Sequence, residues 1–264
     1  MINDIQKKVK ELLENGSING FLGIRNFEGQ IGPHLFTDPN DLDGFCLGDY
    51  REVGDARYPL NKYLLKIIKR YPGEPIGILY RGCDERALVS LKSWNQIPQN
   101  QIIVPVGFAC SAEQATICEC AQPYPDACDF GEKTNPVACQ SIANVEAMSM
   151  EDRFMFWQRE FQKCIKCYGC RNVCPVCFCN ECSLEDDNLI RKGESPPEIP
   201  IFHLVRAVHM AGRCVDCGLC NDACAMEIPL RTLYKKVAQI LKEDFNYTAG
   251  VDFEKSPLQT LGEV

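Results

Sequence analysis

Between Asp4 and Glu14 the apolar residues Ile5, Val9, Leu12 and Leu13 share one face at helical spacing, among lysines and glutamates. That pattern predicts an amphipathic helix. Glycine-rich, extended sequence follows through Gly48. Leu60 to Arg70 repeats the helical pattern with Leu64, Leu65 and Ile68 inward, and Tyr71-Pro72-Gly73 is a stop signal. The period then changes. Pro75 to Tyr80 (PIGILY) is a short continuous apolar run, which reads as a buried strand. Arg81-Gly82-Cys83 turns the chain, Asp84 reads as the cap of a helix reaching about Trp94, and Gln101 to Val106 is the next strand. Strand, helix and strand make a βαβ unit, so residues 1–150 are expected to form an α/β domain with a small parallel sheet.

The later pattern is helical. Ser149-Met150-Glu151-Asp152 has the form of a capping box. The helix it opens, to about Lys163, carries Phe154, Trp157 and Phe161 as core candidates. Leu184 to Ile201 is polar and contains prolines, so it reads as a loop. His203 to Met210 is a short helix, with His203, Arg206 and His209 as its polar face. Pro229 to Lys242 is a longer one. Residues 151–242 are therefore expected to be a mainly α-helical domain, and 243–264 a polar tail.

Composition changes the picture at one residue type. The charge is ordinary, with 28 Lys and Arg against 36 Asp and Glu, and the net charge of −8 argues against a nucleic-acid surface. But there are 18 cysteines in 264 residues. Disulfide-rich secretion and metal binding are the two settings that tolerate so many. The charged N-terminal helix has no apolar core of a signal peptide. The longest apolar stretch, Ile102 to Cys110, falls far short of the ~20 residues a membrane helix needs. A cytoplasmic chain with reduced, metal-holding thiols is the expectation.

Cys164, Cys167, Cys170 and Cys174 form C-x2-C-x2-C-x3-C, followed by Pro175, and Cys214, Cys217, Cys220 and Cys224 repeat the spacing. This is the bacterial ferredoxin run, in which the fourth thiolate reaches the other cluster. The expected ligand sets are therefore crossed. Cys164, Cys167, Cys170 and Cys224 would hold one 4Fe–4S cluster, and Cys214, Cys217, Cys220 and Cys174 the second. Zinc sites usually draw on two separated pairs, which fits this run poorly. Ala225 stands where a proline usually follows. Lys163, Lys166, Arg171 and Arg213 lie beside these loops, and positive charge there would raise the cluster potentials.

Cys177, Cys179 and Cys182 follow at once in C-P-V-C-F-C-N-E-C. They read as a third site, a 4Fe–4S cluster or zinc, completed by Cys118 or Cys120, with Cys128 and Cys139 next, and with spare thiols as the other reading. Cys46, Cys83 and Cys110 sit singly and read as buried structural residues. The turn Arg81-Gly82-Cys83 opens a helix after a strand, a natural place for a flavin or other anion. Asp84 and Glu85 oppose that reading with two carboxylates.

The stretch Lys163 to Cys182, KCIKCYGCRNVCPVCFCNEC, resembles the coenzyme-deazaflavin hydrogenase and formate dehydrogenase beta-subunit family. Ile78 to Leu88, ILYRGCDERAL, resembles the same family's strand and G-x-P-C-Q-type turn, without its proline and glutamine. Thirty-nine residues separate Cys174 from Cys214. That long helical link resembles the α-helical ferredoxin module of heterodisulfide reductase and of succinate dehydrogenase iron–sulfur subunits. The resemblance implies an anaerobic, multi-subunit oxidoreductase in which this chain passes single electrons between a catalytic subunit and a flavin- or metal-containing partner. Heterodisulfide-reductase-like, formate dehydrogenase-like and tungsten or molybdenum enzymes are the partner classes. The alternative it implies is an FAD-dependent subunit acting on a deazaflavin or nicotinamide.

Overall fold

The computed structural model describes residues 1–48, 56–251 and 256–258. It divides into two compact units, Met1–Ala138 and Cys139–Val264.

The first unit opens with α1 (Ile2–Glu14), which buries Ile5 and Val9 as its spacing predicts. The extended segment that follows is a hairpin of β1 (Gly20–Phe27) and β2 (Gln30–Phe36), paired antiparallel from Phe21↔Phe36 to Phe27↔Gln30. A short β3 (Phe45–Cys46) also runs antiparallel to β1. α2 (Leu60–Arg70) follows, with Leu64 and Ile68 buried. Then come β4 (Ile76–Tyr80), α3 (Gly82–Ser93) and β5 (Ile103–Gly107). β1, β4 and β5 are mutually parallel, and the strand order is β2-β1-β4-β5. The expected parallel sheet is thus a mixed one. The βαβ unit is present, but the glycine-rich stretch contributes an antiparallel edge, a common addition to parallel sheets. The sheet and its helices close over Phe21, Phe36, Ile24, Ile78, Leu64 and Leu91, each 1% exposed or less. After β5, α4 (Ala112–Ile117) starts at Ser111, whose hydroxyl accepts from the Gln114 N–H.

The second unit is helical. α5 (Gln140–Glu146) precedes α6 (Met150–Gln162), and the Ser149 hydroxyl accepts the Asp152 N–H at 3.1 Å as the capping box requires. Of the three core candidates named on α6, Phe161 is buried, whereas Phe154 is 60% exposed. Two one-turn helices, α7 (Gly169–Asn172) and α9 (Leu219–Asp222), flank α8 (Ile201–Met210) in the chain, and α10 (Leu230–Phe245) follows. The polar segment before α8 is an anchored loop: Leu184 and Ile190 are buried against Phe202. The tail expected from residue 243 begins within α10. Beyond it Tyr247 and Ser256 are buried, and residues 252–255 and 259–264 lie outside the described residues. No helix among the described residues is long and apolar enough to cross a membrane.

Candidate metal centre

The two cysteine runs fold into loops with the same backbone. In the first, Lys166 and Tyr168 take positive φ of 52° and 58°; in the second, Asp216 and Gly218 take 56° and 78°. The left-handed residues fall two and four positions after the first cysteine of each run, and each loop then enters a one-turn helix. A left-handed non-glycine residue costs about 1–2 kcal/mol. Tyr168 is held there by its hydroxyl, which donates to the Leu184 carbonyl at 2.9 Å, and by the Arg171 guanidinium 4.7 Å from its ring.

These loops bring the thiols together in two groups. Cys164, Cys167 and Cys170 share a small cavity with Cys224, walled by Tyr168, Phe202, His203 and Ile228. Cys214, Cys217 and Cys220 share another with Cys174, walled by Met210, Arg206 and Tyr234. Each cavity thus takes three thiols from one run and the fourth from the other. The exchange works because α7 and α9 lie against each other, so closely that a side chain at Gly169 would meet the Ala223 carbonyl at 2.9 Å. Burial pushes the Cys214 thiol up to about 12 and raises those of Cys164, Cys170 and Cys220. Bare thiols here stay protonated; only a cation or a cationic cluster would make thiolates of them. Among the described residues no three His, Cys, Asp or Glu side chains converge on a point that could hold a single metal ion. Four thiols around one cavity, with no three of them converging on a point, suit a multinuclear group better than a single ion.

The charged residues beside the cysteine loops have protein partners of their own. Lys163 pairs with Glu160 and Arg171 with Glu185. The Lys166 ammonium donates to the Arg191 carbonyl, and Arg213 lies 3.4 Å from the Cys179 sulfur. Arg206 and His203, expected on a polar face of α8, are 3% and 2% exposed. His203 stacks on Phe161 at 4.2 Å, and desolvation lowers its pKa to about 4. A polar period in a helix does not reveal which polar residues go inward.

Cys177, Cys179 and Cys182 each meet a different arginine: Arg206 at 3.9 Å, Arg213 at 3.4 Å, and Arg171. In the first unit a different set assembles. Cys83 lies three residues after Tyr80 and Cys110 three after Gly107, and Tyr80 and Gly107 are paired across β4 and β5. Both thiols therefore sit at the C-terminal edge of the parallel strands. Cys118 and Cys120 are buried, and both lie within the electrostatic reach of Cys110, as does Cys83. Gln114 donates to the Cys118 sulfur at 2.9 Å. Nothing in the spacing of Cys83 and Cys110 announces their shared edge; only the strand register does.

The α3 N-terminus is capped differently from the sequence reading. The helix starts at Gly82, and the Asp84 carboxylate accepts the Arg81 N–H at 3.0 Å from inside the first turn. A side chain at Gly82 would meet the carbonyl oxygens of Gln122 and Tyr124 at 2.6 and 2.5 Å. Arg81 is buried, donates to the Leu47 carbonyl and lies over the Phe108 ring. The turn is thus lined by acceptors, which repel a phosphate. Burial pushes the Cys83 thiol up.

No family model matches the chain. Curated proteins match it in part. The F420-dependent formate dehydrogenase subunit beta of Methanocaldococcus jannaschii is 35% identical over 150 residues, which are 56% of this chain and 40% of that protein. The family resemblance is therefore to formate dehydrogenase beta subunits. The F420-dependent formate dehydrogenase 1 subunit beta of Methanococcus maripaludis is 48% identical over 101 residues, 38% of this chain and 26% of that protein. The chain thus spans well under half the length of these two formate dehydrogenase beta subunits.

Proposed function

We propose that this chain is an iron–sulfur electron-transfer subunit of an oxidoreductase, a working partner of a larger catalytic subunit of the formate dehydrogenase type. The observation that carries the reading is the pair of four-cysteine cavities with exchanged fourth thiols. In this reading Cys164, Cys167, Cys170 and Cys224 hold one 4Fe–4S cluster, and Cys214, Cys217, Cys220 and Cys174 the other. Such clusters supply reversible one-electron storage. The chain's own residues shape where they sit: the paired left-handed loops aim three thiols inward, and Phe202, Ile228, Met210 and Tyr234 keep the cavities largely dry. Candidates for a third site are Cys177, Cys179 and Cys182, each of which meets an arginine, and Cys83, Cys110, Cys118 and Cys120, of which the other three lie within electrostatic reach of Cys110. The α3 turn is lined by the Gln122 and Tyr124 carbonyls and the Asp84 carboxylate, which favours the wire over the flavoenzyme.

The test is anaerobic purification with iron, sulfide and flavin measured together, and electron paramagnetic resonance of the reduced chain. Cys174→Ser is expected to damage the signal of the cluster at Cys214, and Cys170→Ser the other. If Cys174→Ser abolishes only the signal that Cys170→Ser abolishes, the exchange of ligands is wrong.

A further inference from the structure

Among the described residues, the second cavity contains a charge that the protein does not neutralise. Arg206, on α8, is 3% exposed. One terminal nitrogen donates to the Cys170 carbonyl at 3.0 Å, and the other lies 3.9 Å from the Cys177 sulfur. Its Nε has no hydrogen-bond partner. Among the described residues no carboxylate pairs with it; its neighbours are Tyr234 and the sulfurs of Cys174, Cys170 and Cys177. A buried guanidinium without an anion costs several kcal/mol, about the penalty for one desolvated ion. Arg231, which lines the same cavity, differs in this respect, since it is matched by Asp216 at 2.7 Å.

A second orphan lines the cavity beside it. Tyr234 is 2% exposed, its hydroxyl has no partner, and the Arg206 guanidinium lies 5.9 Å from its ring. Two buried donors, one of them cationic, thus share an apolar chamber with four thiols. The missing partner of this arrangement is an anion with several acceptor atoms. The other cavity has no arginine or lysine in its wall and places neutral His203 there.

We propose that Arg206, with Tyr234, is the internal counter-charge of the group held by Cys174, Cys214, Cys217 and Cys220, and makes it the higher-potential member of the pair. This rests on the iron–sulfur reading above. The cluster with its four thiolates is an anion and becomes more negative by one charge on reduction. A fixed cation beside it favours the reduced state, and hydrogen bonds to its sulfurs act in the same direction. Arg206 is a positioning residue as well: through the Cys170 carbonyl it ties the loop of the first cavity to the wall of the second. Electrons entering the pair therefore settle on the second cluster.

The experiment is a redox titration of the iron-loaded full chain, followed by electron paramagnetic resonance, with the second signal identified by its loss in Cys214→Ser. In Arg206→Met the reduction equilibrium of that signal is expected to fall at least about tenfold, or 59 mV for one electron. Arg206→Lys keeps most of the wild-type value, and Tyr234→Phe moves it by less, in the same direction. The first signal shifts by less than half as much. An iron-replete Arg206→Met with an unmoved second potential, or with equal shifts in both, overturns the proposal. Should Arg206→Met lose its iron, Tyr234→Phe decides, and an unchanged second potential there overturns it. A wild-type chain that takes up no iron overturns the iron–sulfur reading itself, and this inference with it.

Discussion

In the second unit, three of the thiols around each cavity come from seven consecutive residues, Cys164–Cys170 and Cys214–Cys220. In the first unit, Cys83 and Cys110 come to the same sheet edge only because β4 and β5 are registered side by side. The interiors differ in the same way. The first unit is closed by the side chains of its sheet, among them Phe21, Phe36 and Ile78. The second is built around two chambers whose walls include eight cysteines. A sheet can stand on its own apolar contacts, whereas helices arranged around a chamber depend on what fills it.

The largest effect that tests this contrast is removal of the metal. Stripping iron with a chelator and an oxidant is expected to abolish hydrogen-exchange protection in α7, α8 and α9 while β1 and β4 keep theirs. Equal loss in both units would break the comparison. Truncating the sheet core should do the reverse. Phe21→Ala should destabilise the first unit by about 3–5 kcal/mol, seen as a lower urea midpoint. The iron of the second unit should be unchanged. The smallest effect is compositional and concerns the thiols of the first unit. Cys118→Ser is expected to lower bound metal by about one cluster's four iron atoms. The triple variant of Cys177, Cys179 and Cys182 to Ser is expected to leave metal content alone. The opposite pattern would return the third site to the C-P-V-C-F-C-N-E-C segment.

What could be read in advance follows from the range of the forces involved. α1, α2 and the Ser149 cap were legible because each depends on residues within a turn or two. The matching backbone of the two cysteine loops follows from their shared spacing, which is also local. The β1–β2 hairpin was not, because its glycine-rich strands carry a weak alternating pattern, and its Glu28-Gly29 turn looks like any loop. The inward placement of Arg206 was also hidden. Its helix period is shared by exposed His209, and only the packing of α10, with Tyr234, distinguishes them. Cys83 and Cys110 of the first unit were separate in sequence and brought to one edge by register, which no local pattern records.

The exchange of the fourth thiol has a consequence for how the protein is made. Cys174 leaves the ribosome early but has its place in a chamber whose other three cysteines begin at Cys214, and the first chamber lacks its last wall until Cys224 appears. The four thiols of the first chamber are complete only at Cys224, and those of the second only at Cys220. In the iron–sulfur reading proposed above, loading of the second unit is a late event in biosynthesis. A truncation before Cys220 removes a thiol from each chamber rather than from one.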